Sequence, residues 1–380
     1  MSSTTLGITR LPLKIETNRT FAGIQMLRGL AALMVVFHHA TQWWADYVDQ
    51  VNSHYAWGSG ASGVDIFFVI SGFVMAVSTI GREHKTPPAR SFLERRLIRV
   101  APLYWLATAL ILAKTLIVNS HPELGNGPHA SATSLSYIFS SFLFIPYRNS
   151  VGTIQPLLLV GWTLSYEMFF YLLFAVPLAL RTSVTRTLTP VMIFLATVGL
   201  FYRDTWPAIT SLASPLLLEF LGGLWLGHAV VKGFTKSTKL WIPLALASAA
   251  FLLFCPSWHS DGERVLFCGI PAFLLVLSVV GMEASYGRAW PRWALAIGDS
   301  SYSLYLMHVI IFSFVLKLLI KKHILVEGIV RWQDELLTVF CCVPVAILFS
   351  FAIYRWVESP MNQILRHRLL REQKSLASAT

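Results

Sequence analysis

The sequence predicts an all-α integral membrane protein with about ten transmembrane helices and both termini in the cytoplasm. Its mean hydropathy is +0.60, 55% of its 380 residues are hydrophobic and only 13% are charged. A soluble globular chain has about twice that charged fraction. The apolar residues come in repeated blocks of roughly 20, the length that crosses about 30 Å of hydrocarbon. The basic residues collect between alternate blocks, as the loops on the cytoplasmic side of a membrane protein do.

Ten apolar blocks are predicted to cross the bilayer, with short polar stretches between them. An eleventh block, residues 135–146, is too short to cross and is predicted to be an interfacial or re-entrant helix. The predicted spans are residues 21–44, 62–81, 100–118, 159–180, 188–202, 213–231, 240–256, 265–282, 297–319 and 335–356.

The charge distribution predicts which side of the membrane each loop faces. If the N-terminus is cytoplasmic, the inner segments hold 21 Lys and Arg residues and the outer segments hold six. The positive-inside rule therefore favours cytoplasmic termini. This bias accounts for the net charge of +11, so no nucleic-acid partner is predicted. Residues 1–20 have neither the apolar stretch nor the cleavage site of a signal peptide, and the first span is the expected insertion signal.

A single transmembrane domain, residues 21–360, is predicted between an N-terminal tail, 1–20, and a basic cytoplasmic tail, 361–380. The outer loop 45–61 is rich in Trp and Tyr, and an aromatic belt is favoured there over a platform for stacking sugars. The cysteines lie in apolar surroundings without the spacing of a metal site, so they are predicted to be core residues, and no metal is expected. They are Cys255, Cys268, Cys341 and Cys342.

The first span carries ionisable residues, which a membrane helix retains where they face a partner, a cavity or a substrate. Arg28 and His39 are eleven residues apart, so they lie within roughly 20° of one helix face and about 16 Å apart along the axis. This face presents a cation near the cytoplasm and an imidazole in the outer half. His38 points about 80° away from the face of Arg28. His39 is therefore favoured as the functional residue, although the tandem pair leaves the choice open.

Two carboxylates are candidates to act with His39. Asp65 falls three residues into the second span, near the depth of His39, where it either fixes the imidazole tautomer or caps the helix N-terminus. Glu167 lies among aromatic residues in the outer half of the fourth span, where it is either functional or a buried carboxylate bonded to a Tyr or Trp. Other polar or aromatic residues of interest within the spans, the last two interpreted as mainly structural, are Ser71, Trp162, Tyr171, Tyr302, His308, Glu219 and His228.

The inner loop before the third span ends in two arginines that share a helix face, Arg96 and Arg99. Paired guanidinium groups at an interface suit phosphates, which they bind through two parallel hydrogen bonds. The alternative is an anchor at lipid headgroups, and the charge count alone favours that alternative.

Five stretches of the chain carry a resemblance to a known family. They are Arg28 with His39, GVDIFFVISG at 63–72, RLIR at 96–99 with Pro102 and Tyr104, WTLSYE at 162–167 with Phe170 and Tyr171, and SYSLYLMH at 301–308. In this order, each at its expected membrane side, they resemble the acyltransferase-3 family of multi-span membrane acyltransferases, over residues 21–360.

This resemblance implies ten transmembrane helices and transfer of an acyl group, commonly acetyl, from cytoplasmic acyl-coenzyme A to glycan hydroxyls at the outer face. The residues that match the family's functional positions are Arg28, His39, Asp65, Arg96, Arg99, Trp162 and Glu167. The family often ends in Glu-Arg-Pro where this chain has Glu358-Ser359-Pro360. Many relatives continue into a soluble hydrolase-like domain, and a chain that stops at Thr380 is expected to resemble the members that decorate exopolysaccharides.

The residues and the resemblance together predict an acyltransferase of the inner (plasma) membrane. Acyl-coenzyme A is the expected donor, with its phosphates held by the three arginines, and the acceptor is a glycan or lipid-linked oligosaccharide. His39, steadied by Asp65 or Glu167, would act as general base or would itself carry the acyl group. Trp162 and Tyr171 are expected to contact the sugar, with Ser71, Tyr302 and His308 in support. Membrane lipids and polysaccharide-assembly proteins are the other expected partners.

The alternative prediction is a proton-coupled transporter or flippase, because intramembrane His, Asp and Glu residues also mark proton relays. A transporter of that kind typically has a pair of Gly- or Pro-interrupted helices in two matching halves, a pattern that this sequence does not display.

Overall fold

The computed structural model describes residues 21–49, 57–80, 87–121, 134–234, 238–255, 258–286, 290–326 and 332–379. Most of these residues are helical, and an isolated β-bridge joins Arg148 and Ile154. The α-helices are α1 (Ala22–Trp44), α2 (Gly63–Ile80), α3 (Ala89–Ser120), α4 (Leu135–Phe142), α5 (Gly161–Ala179), α6 (Val184–Gly199), α7 (Leu217–Val231), α8 (Trp241–Leu253), α9 (Asp261–Arg264), α10 (Ile270–Tyr286), α11 (Arg292–Asp299), α12 (Ser301–Lys321), α13 (Trp332–Ile353) and α14 (Ser359–Ala379).

Short segments of other helical types extend or join these helices. The π-helical segment Ala45–Asp49 continues α1, Val265–Gly269 joins α9 to α10, and Tyr354–Glu358 joins α13 to α14. The 3₁₀-helical segments Gly58–Ser62 and Ala208–Leu212 precede α2 and α7. Single-turn π segments inside helices often lie near functional sites. One of these segments, Val265–Gly269, directly follows Arg264, whose side chain is bonded to Asp65.

The predicted fold class is confirmed: the described residues form an all-α protein with membrane-spanning helices. Seven helical segments are long and apolar enough to cross a membrane: Gly58–Ile80, Ala89–Ser120, Gly161–Ala179, Ala208–Val231, Asp261–Tyr286, Ser301–Lys321 and Gln333–Arg371. The three other predicted spans fall on α1, α6 and α8. The number of crossings and the side of the termini stay predictions, and the predicted tail 1–20 lies outside the described residues.

The helices α2 and α7 approach each other at backbone contact distance. A Cβ atom placed on Gly72 would lie 2.0 Å from the carbonyl oxygen of Phe220, and one placed on Gly223 would lie 2.0 Å from that of Val69. Only glycine fits at these two positions. Gly72 of the second span therefore lets α2 pack closely against α7. Around this contact Phe220 packs on the ring of Phe68, with the two centroids 4.5 Å apart.

The beginning of α1 is held by a carboxylate from another helix. Glu283, in α10, accepts hydrogen bonds from the backbone N–H groups of Ala22 and Gly23 at 3.0 and 2.8 Å. These groups have no partner within their own helix, and the positive end of the helix dipole favours a negative charge there. One turn further on, Gln25 donates to Asp299 at 2.7 Å. These contacts fix the end of α1 that carries Arg28.

Candidate active site

A cavity of about 600 Å³ lies among α1, α2, α3, α5 and α12. Its lining runs from Ala22, at the start of α1, to Val64 and Thr163, near the starts of α2 and α5. A Cβ atom placed on Gly63 would lie 2.3 Å from the backbone oxygen of Ala31, so the start of α2 lies beside the middle of α1, and the cavity extends from the start of α1 to about the middle of that helix. Seven of the eleven predicted site residues line this cavity: Arg28, Ser71, Arg96, Arg99, Glu167, Tyr171 and Tyr302.

Three arginines, Arg28, Arg96 and Arg99, lie along the cavity, and the first two have neutral hydrogen-bond partners. Arg96 donates to the hydroxyl of Ser78 at 2.9 Å, and its guanidinium lies 5.9 Å from the ring centre of Tyr171. Arg28 donates to the side chain of Gln25 at 3.2 Å. Among the described residues, the ion pairs with carboxylates involve other basic side chains. The cations of Arg28, Arg96 and Arg99 are therefore available to a negatively charged ligand.

Glu167 belongs to this cavity rather than to the surroundings of His39. It accepts a hydrogen bond from Ser71 at 2.8 Å and another from the hydroxyl of Tyr171. Ser71 lies halfway along α2, and Glu167 is the seventh of the 19 residues of α5, so its predicted place in the outer half of the fourth span stays a prediction. The hydrogen bond from Tyr171 agrees with the prediction that Glu167 is a structural carboxylate bonded to a Tyr or Trp. The place of Glu167 in the cavity lining agrees with the prediction that it is functional.

The far end of the cavity is lined by aromatic and hydroxyl side chains. Tyr305 and Thr163 hydrogen-bond through their hydroxyls at 2.7 Å, and Tyr305 also donates to the backbone oxygen of Val160 at 3.2 Å. The ring of Phe67 packs edge-on against Tyr305, with centroids 5.7 Å apart. The imidazole of His308 lies at a centroid distance of 6.3 Å from the ring of Tyr305. His308 is therefore the neighbour of a side chain that lines the cavity.

His39 and His308 form a hydrogen-bonded pair. The Nδ1 atom of His39 lies 3.0 Å from Nε2 of His308, and Nδ1 of His308 lies 3.0 Å from the backbone oxygen of Leu304. A carbonyl oxygen only accepts, so Nδ1 of His308 carries a proton, and Nε2 of the neutral ring accepts from Nδ1–H of His39. This tautomer leaves Nε2 of His39 with a lone pair. His308 is fully buried, whereas His39 is partly exposed.

The predicted contact between Asp65 and His39 was wrong. Both carboxylate oxygens of Asp65 are bonded to Arg264, each at 3.0 Å, and both side chains are buried. A carboxylate that loses its hydration needs a full counter-charge, which a guanidinium supplies and a neutral imidazole does not. The partner of His39 is another histidine, and the partner of Asp65 is an arginine from a loop that the sequence placed outside the membrane.

Arg264 is the site residue that the sequence did not identify. It ends α9, and its guanidinium lies 5.5 Å from the ring centre of Trp162 and 5.1 Å from that of Trp258. Trp162 therefore packs on this cation instead of lining the cavity. A signal was present in the sequence: Asp65 needed a counter-charge on the outer side, where the sequence offers only six basic residues.

Comparison with known proteins identifies the family. The acyltransferase-3 model, described as an acyltransferase domain, matches residues 21–355. The chain belongs to the acyltransferase-3 family. The match covers every residue of the cavity and of the histidine pair. No solved structure matches the chain.

Curated relatives of this acyltransferase-3 protein include proteins named for exopolysaccharide production or O-acetylation. The exopolysaccharide production protein ExoZ of Rhizobium meliloti (strain 1021) is 33% identical over 310 residues, which cover 80% of this chain and 89% of the relative. The O-acetyltransferase OatA of Staphylococcus aureus (strain NCTC 8325 / PS 47) is 26% identical over 378 residues. That match covers 92% of this chain but only 58% of OatA.

Proposed function

We propose that the protein is an O-acyltransferase that moves an acyl group, acetyl foremost, from acyl-coenzyme A to a sugar hydroxyl of an exopolysaccharide or another cell-surface glycan. The similarity to ExoZ over most of both chains and to OatA supports this class of acceptor. The observation that carries the proposal is the cavity, which gathers three arginines that have no carboxylate in salt-bridge contact among the described residues, and whose lining includes Tyr305, the neighbour of His308.

The arginine-lined end of the cavity is proposed to receive the donor from the cytoplasm. The phosphates of acyl-coenzyme A would bind Arg96, Arg99 and Arg28, which present donors and positive charge in a partly buried site. Its pantetheine arm would extend along the cavity past Ser71 and Glu167 toward Tyr305. A cavity lined by arginines near one end and by Thr163 and Tyr305 at the other suits such a donor, because the phosphates and the thioester of acyl-coenzyme A lie at opposite ends of its pantetheine arm.

His39 is proposed to activate the acceptor hydroxyl from the other side. Its Nε2 atom takes the hydroxyl proton while the hydroxyl oxygen attacks the thioester carbonyl, the new ester bond forms, and coenzyme A leaves as the thiolate, which takes up a proton. Alternatively Nε2 attacks the thioester carbonyl and expels coenzyme A as the thiolate; the sugar hydroxyl then attacks the acyl-histidine, its proton passes to that thiolate, and His39 is released. In both routes His308 holds the Nδ1–H tautomer of His39.

The two predicted carboxylates are proposed to act through other residues. Glu167 holds Ser71 and Tyr171 in the cavity wall and offsets part of the arginine charge. Asp65 fixes Arg264, which supports Trp162 near the proposed acceptor side. The acceptor would reach the exposed edge of His39, either as a free glycan or as a lipid-linked oligosaccharide delivered by polysaccharide-assembly proteins. The proposed location is the inner (plasma) membrane.

The proposal is tested with purified protein in nanodiscs and acetyl-coenzyme A. Binding and slow thioester hydrolysis, read as release of free thiol, are compared for the wild type, His39→Ala and Arg96→Ala/Arg99→Ala. We expect the arginine variant to lose binding, and the histidine variant to keep binding and lose turnover by about 10²- to 10⁴-fold.

The matched control is Arg90→Ala/Arg95→Ala, which removes two exposed arginines of the same helix outside the cavity. If that variant lost binding equally, Arg96 and Arg99 would be lipid anchors instead of phosphate ligands. If the wild type neither bound nor hydrolysed acyl-coenzyme A of any acyl length, transport would become the leading function.

A further inference from the structure

Two cysteines meet beside the pair of Asp65 and Arg264. Cys255 follows the end of α8, and Cys268 lies in the π-helical segment Val265–Gly269. Their Sγ atoms are 2.9 Å apart, and both residues are buried. A disulfide bond is about 2.05 Å long, so the two sulfurs need to move by less than about 1 Å to be joined.

The chain between these cysteines carries the residues that hold Asp65. It contains Arg264, which binds Asp65, and Trp258, which packs on the Arg264 guanidinium. The segment is further fixed by Ser214, which donates to Asp261 at 2.7 Å. A covalent bond between its two ends would therefore restrain the whole support of the Asp65 carboxylate.

The charge pattern places this segment on the outer side of the membrane. α8 is preceded by a stretch that contains Lys232 and Lys239, whereas the segment after it carries Asp261 and Glu263. Under the positive-inside rule the basic stretch is cytoplasmic and the acidic segment is outside. Disulfides persist there, because glutathione and thioredoxin keep thiols reduced only in the cytosol.

We propose that Cys255 and Cys268 form a disulfide on the outer side of the membrane, closing the segment that holds Arg264 against Asp65. The bond forms by exchange with a disulfide-bearing oxidant of the outer compartment, such as a thiol oxidase. Cys255 attacks the oxidant's disulfide as a thiolate and forms a mixed disulfide, from which Cys268 displaces the oxidant's sulfur. The protein's two thiols lose two protons and two electrons, and the oxidant leaves as a dithiol.

The experiment counts thiols in protein taken directly from cells. Cells are quenched in acid, the protein is denatured and labelled with a maleimide, and the added mass is measured with and without prior reduction. Of the four cysteines, two accept label before reduction and four after it. Four labels before reduction would overturn the proposal. This readout does not depend on acyl transfer, so it stands or fails separately from the proposed function.

Two variants identify the bridged pair. Cys341→Ser/Cys342→Ser leaves only the proposed pair, and we expect no label before reduction and two labels after it. Cys255→Ser is expected to take three labels in both conditions, because Cys268 then has no partner. If instead the adjacent Cys341 and Cys342 of α13 were bridged, Cys341→Ser/Cys342→Ser would take two labels in both conditions. Cys255→Ser would take one label before reduction and three after it, and this result would refute the assignment.

Discussion

The pairing of His39 with His308 gives the second histidine a specific task, because its Nε2 atom must accept the proton of the first. Replacing His308 by Phe removes the acceptor and frees His39 to turn. We expect thioester hydrolysis to fall by about 10- to 100-fold, the usual effect of losing a partner that orients a functional histidine. Acetyl-coenzyme A binding, measured by calorimetry in nanodiscs, is expected to stay unchanged because the arginines are elsewhere.

His308→Gln is the matched control, since a glutamine amide oxygen also accepts a hydrogen bond. It should recover part of the hydrolysis that His308→Phe loses. Equal loss in both variants would show that the imidazole itself, and not acceptance of the His39 proton, is required.

The buried pair of Asp65 and Arg264 is expected to matter for stability. Asp65→Asn or Arg264→Gln leaves one buried charge without its partner, which costs about 3–5 kcal/mol of the free energy of unfolding. The double variant should lose less than the sum of the two single losses. Unfolding in nanodiscs, followed by circular dichroism, measures each value.

An exposed ion pair provides the comparison for the double-mutant cycle of Asp65 and Arg264. Arg90 and Glu94 are bonded at 2.8 Å, with 85% and 30% of their side chains exposed. Their removal should change the free energy of unfolding by no more than about 1 kcal/mol. Full additivity at Asp65 and Arg264 would mean that the two residues do not stabilise the protein as a pair.

For individual residues, the sequence predicted the set of side chains that share the cavity better than it predicted which side chains touch. Arg28, Arg96, Arg99 and Glu167 were identified by charge and position, and one cavity contains them all. The partner of His39 lies 269 residues away, on α12. Helix periodicity gives the face and depth of a side chain but not which of several neighbouring helices that face meets. The sequence therefore offered Asp65 or Glu167 as the partner of His39, and only the packed helices show that the partner is His308.

At the scale of elements, the contact of α2 with α7 depends on glycine. Gly223→Ala would place a Cβ atom 2.0 Å from the backbone oxygen of Val69. A side chain could relieve such a clash by changing rotamer, but a backbone atom in a helix cannot. We expect the two helices to separate and the melting temperature to fall by several degrees, since overpacking a core typically costs about 1–3 kcal/mol. Thermal unfolding in nanodiscs is the measurement.

The neighbouring residue supplies the control for that substitution. A Cβ atom on Gly222 would meet only the ring of Phe273, at 3.2 Å, and a ring can shift by a few tenths of an ångström. Gly222→Ala should therefore be nearly neutral or slightly stabilising, because alanine favours a helix over glycine. Equal effects of the two substitutions would contradict the importance of the close helix contact.

The long helices and the short apolar helix α4 (Leu135–Phe142) were predictable, whereas the short helices α9 and α11 were not. All ten predicted spans fall on helices, because blocks of apolar residues identify such segments directly. α9 has four residues and α11 has eight, too few to show an apolar repeat. The turn that brings Arg264 back into the bundle is one of these short elements, which is why Arg264 was interpreted as a loop residue.

At the scale of the molecule, the cavity joins two regions with different chemistry. Its arginine-lined end suits phosphates, and its other end includes Tyr305, the neighbour of His308. Between them the lining includes Ile70, Val74 and Val77 of α2, which suit the uncharged arm of a donor. A bulky side chain between the two ends should therefore stop thioester hydrolysis and leave phosphate binding at the arginine-lined end intact.

Val74→Trp places a large ring in the middle of the cavity. We expect hydrolysis of acetyl-coenzyme A to fall by about 10²-fold, because the thioester can no longer reach its reacting position. Binding of adenosine 3′,5′-bisphosphate, the nucleotide part of coenzyme A without its arm, should persist because Arg96 and Arg99 are untouched. Val176→Trp makes the same change on an exposed face of α5 and should affect neither measurement. If Val74→Trp hydrolysed the thioester at the wild-type rate, the donor would have to reach His39 by a route other than this cavity.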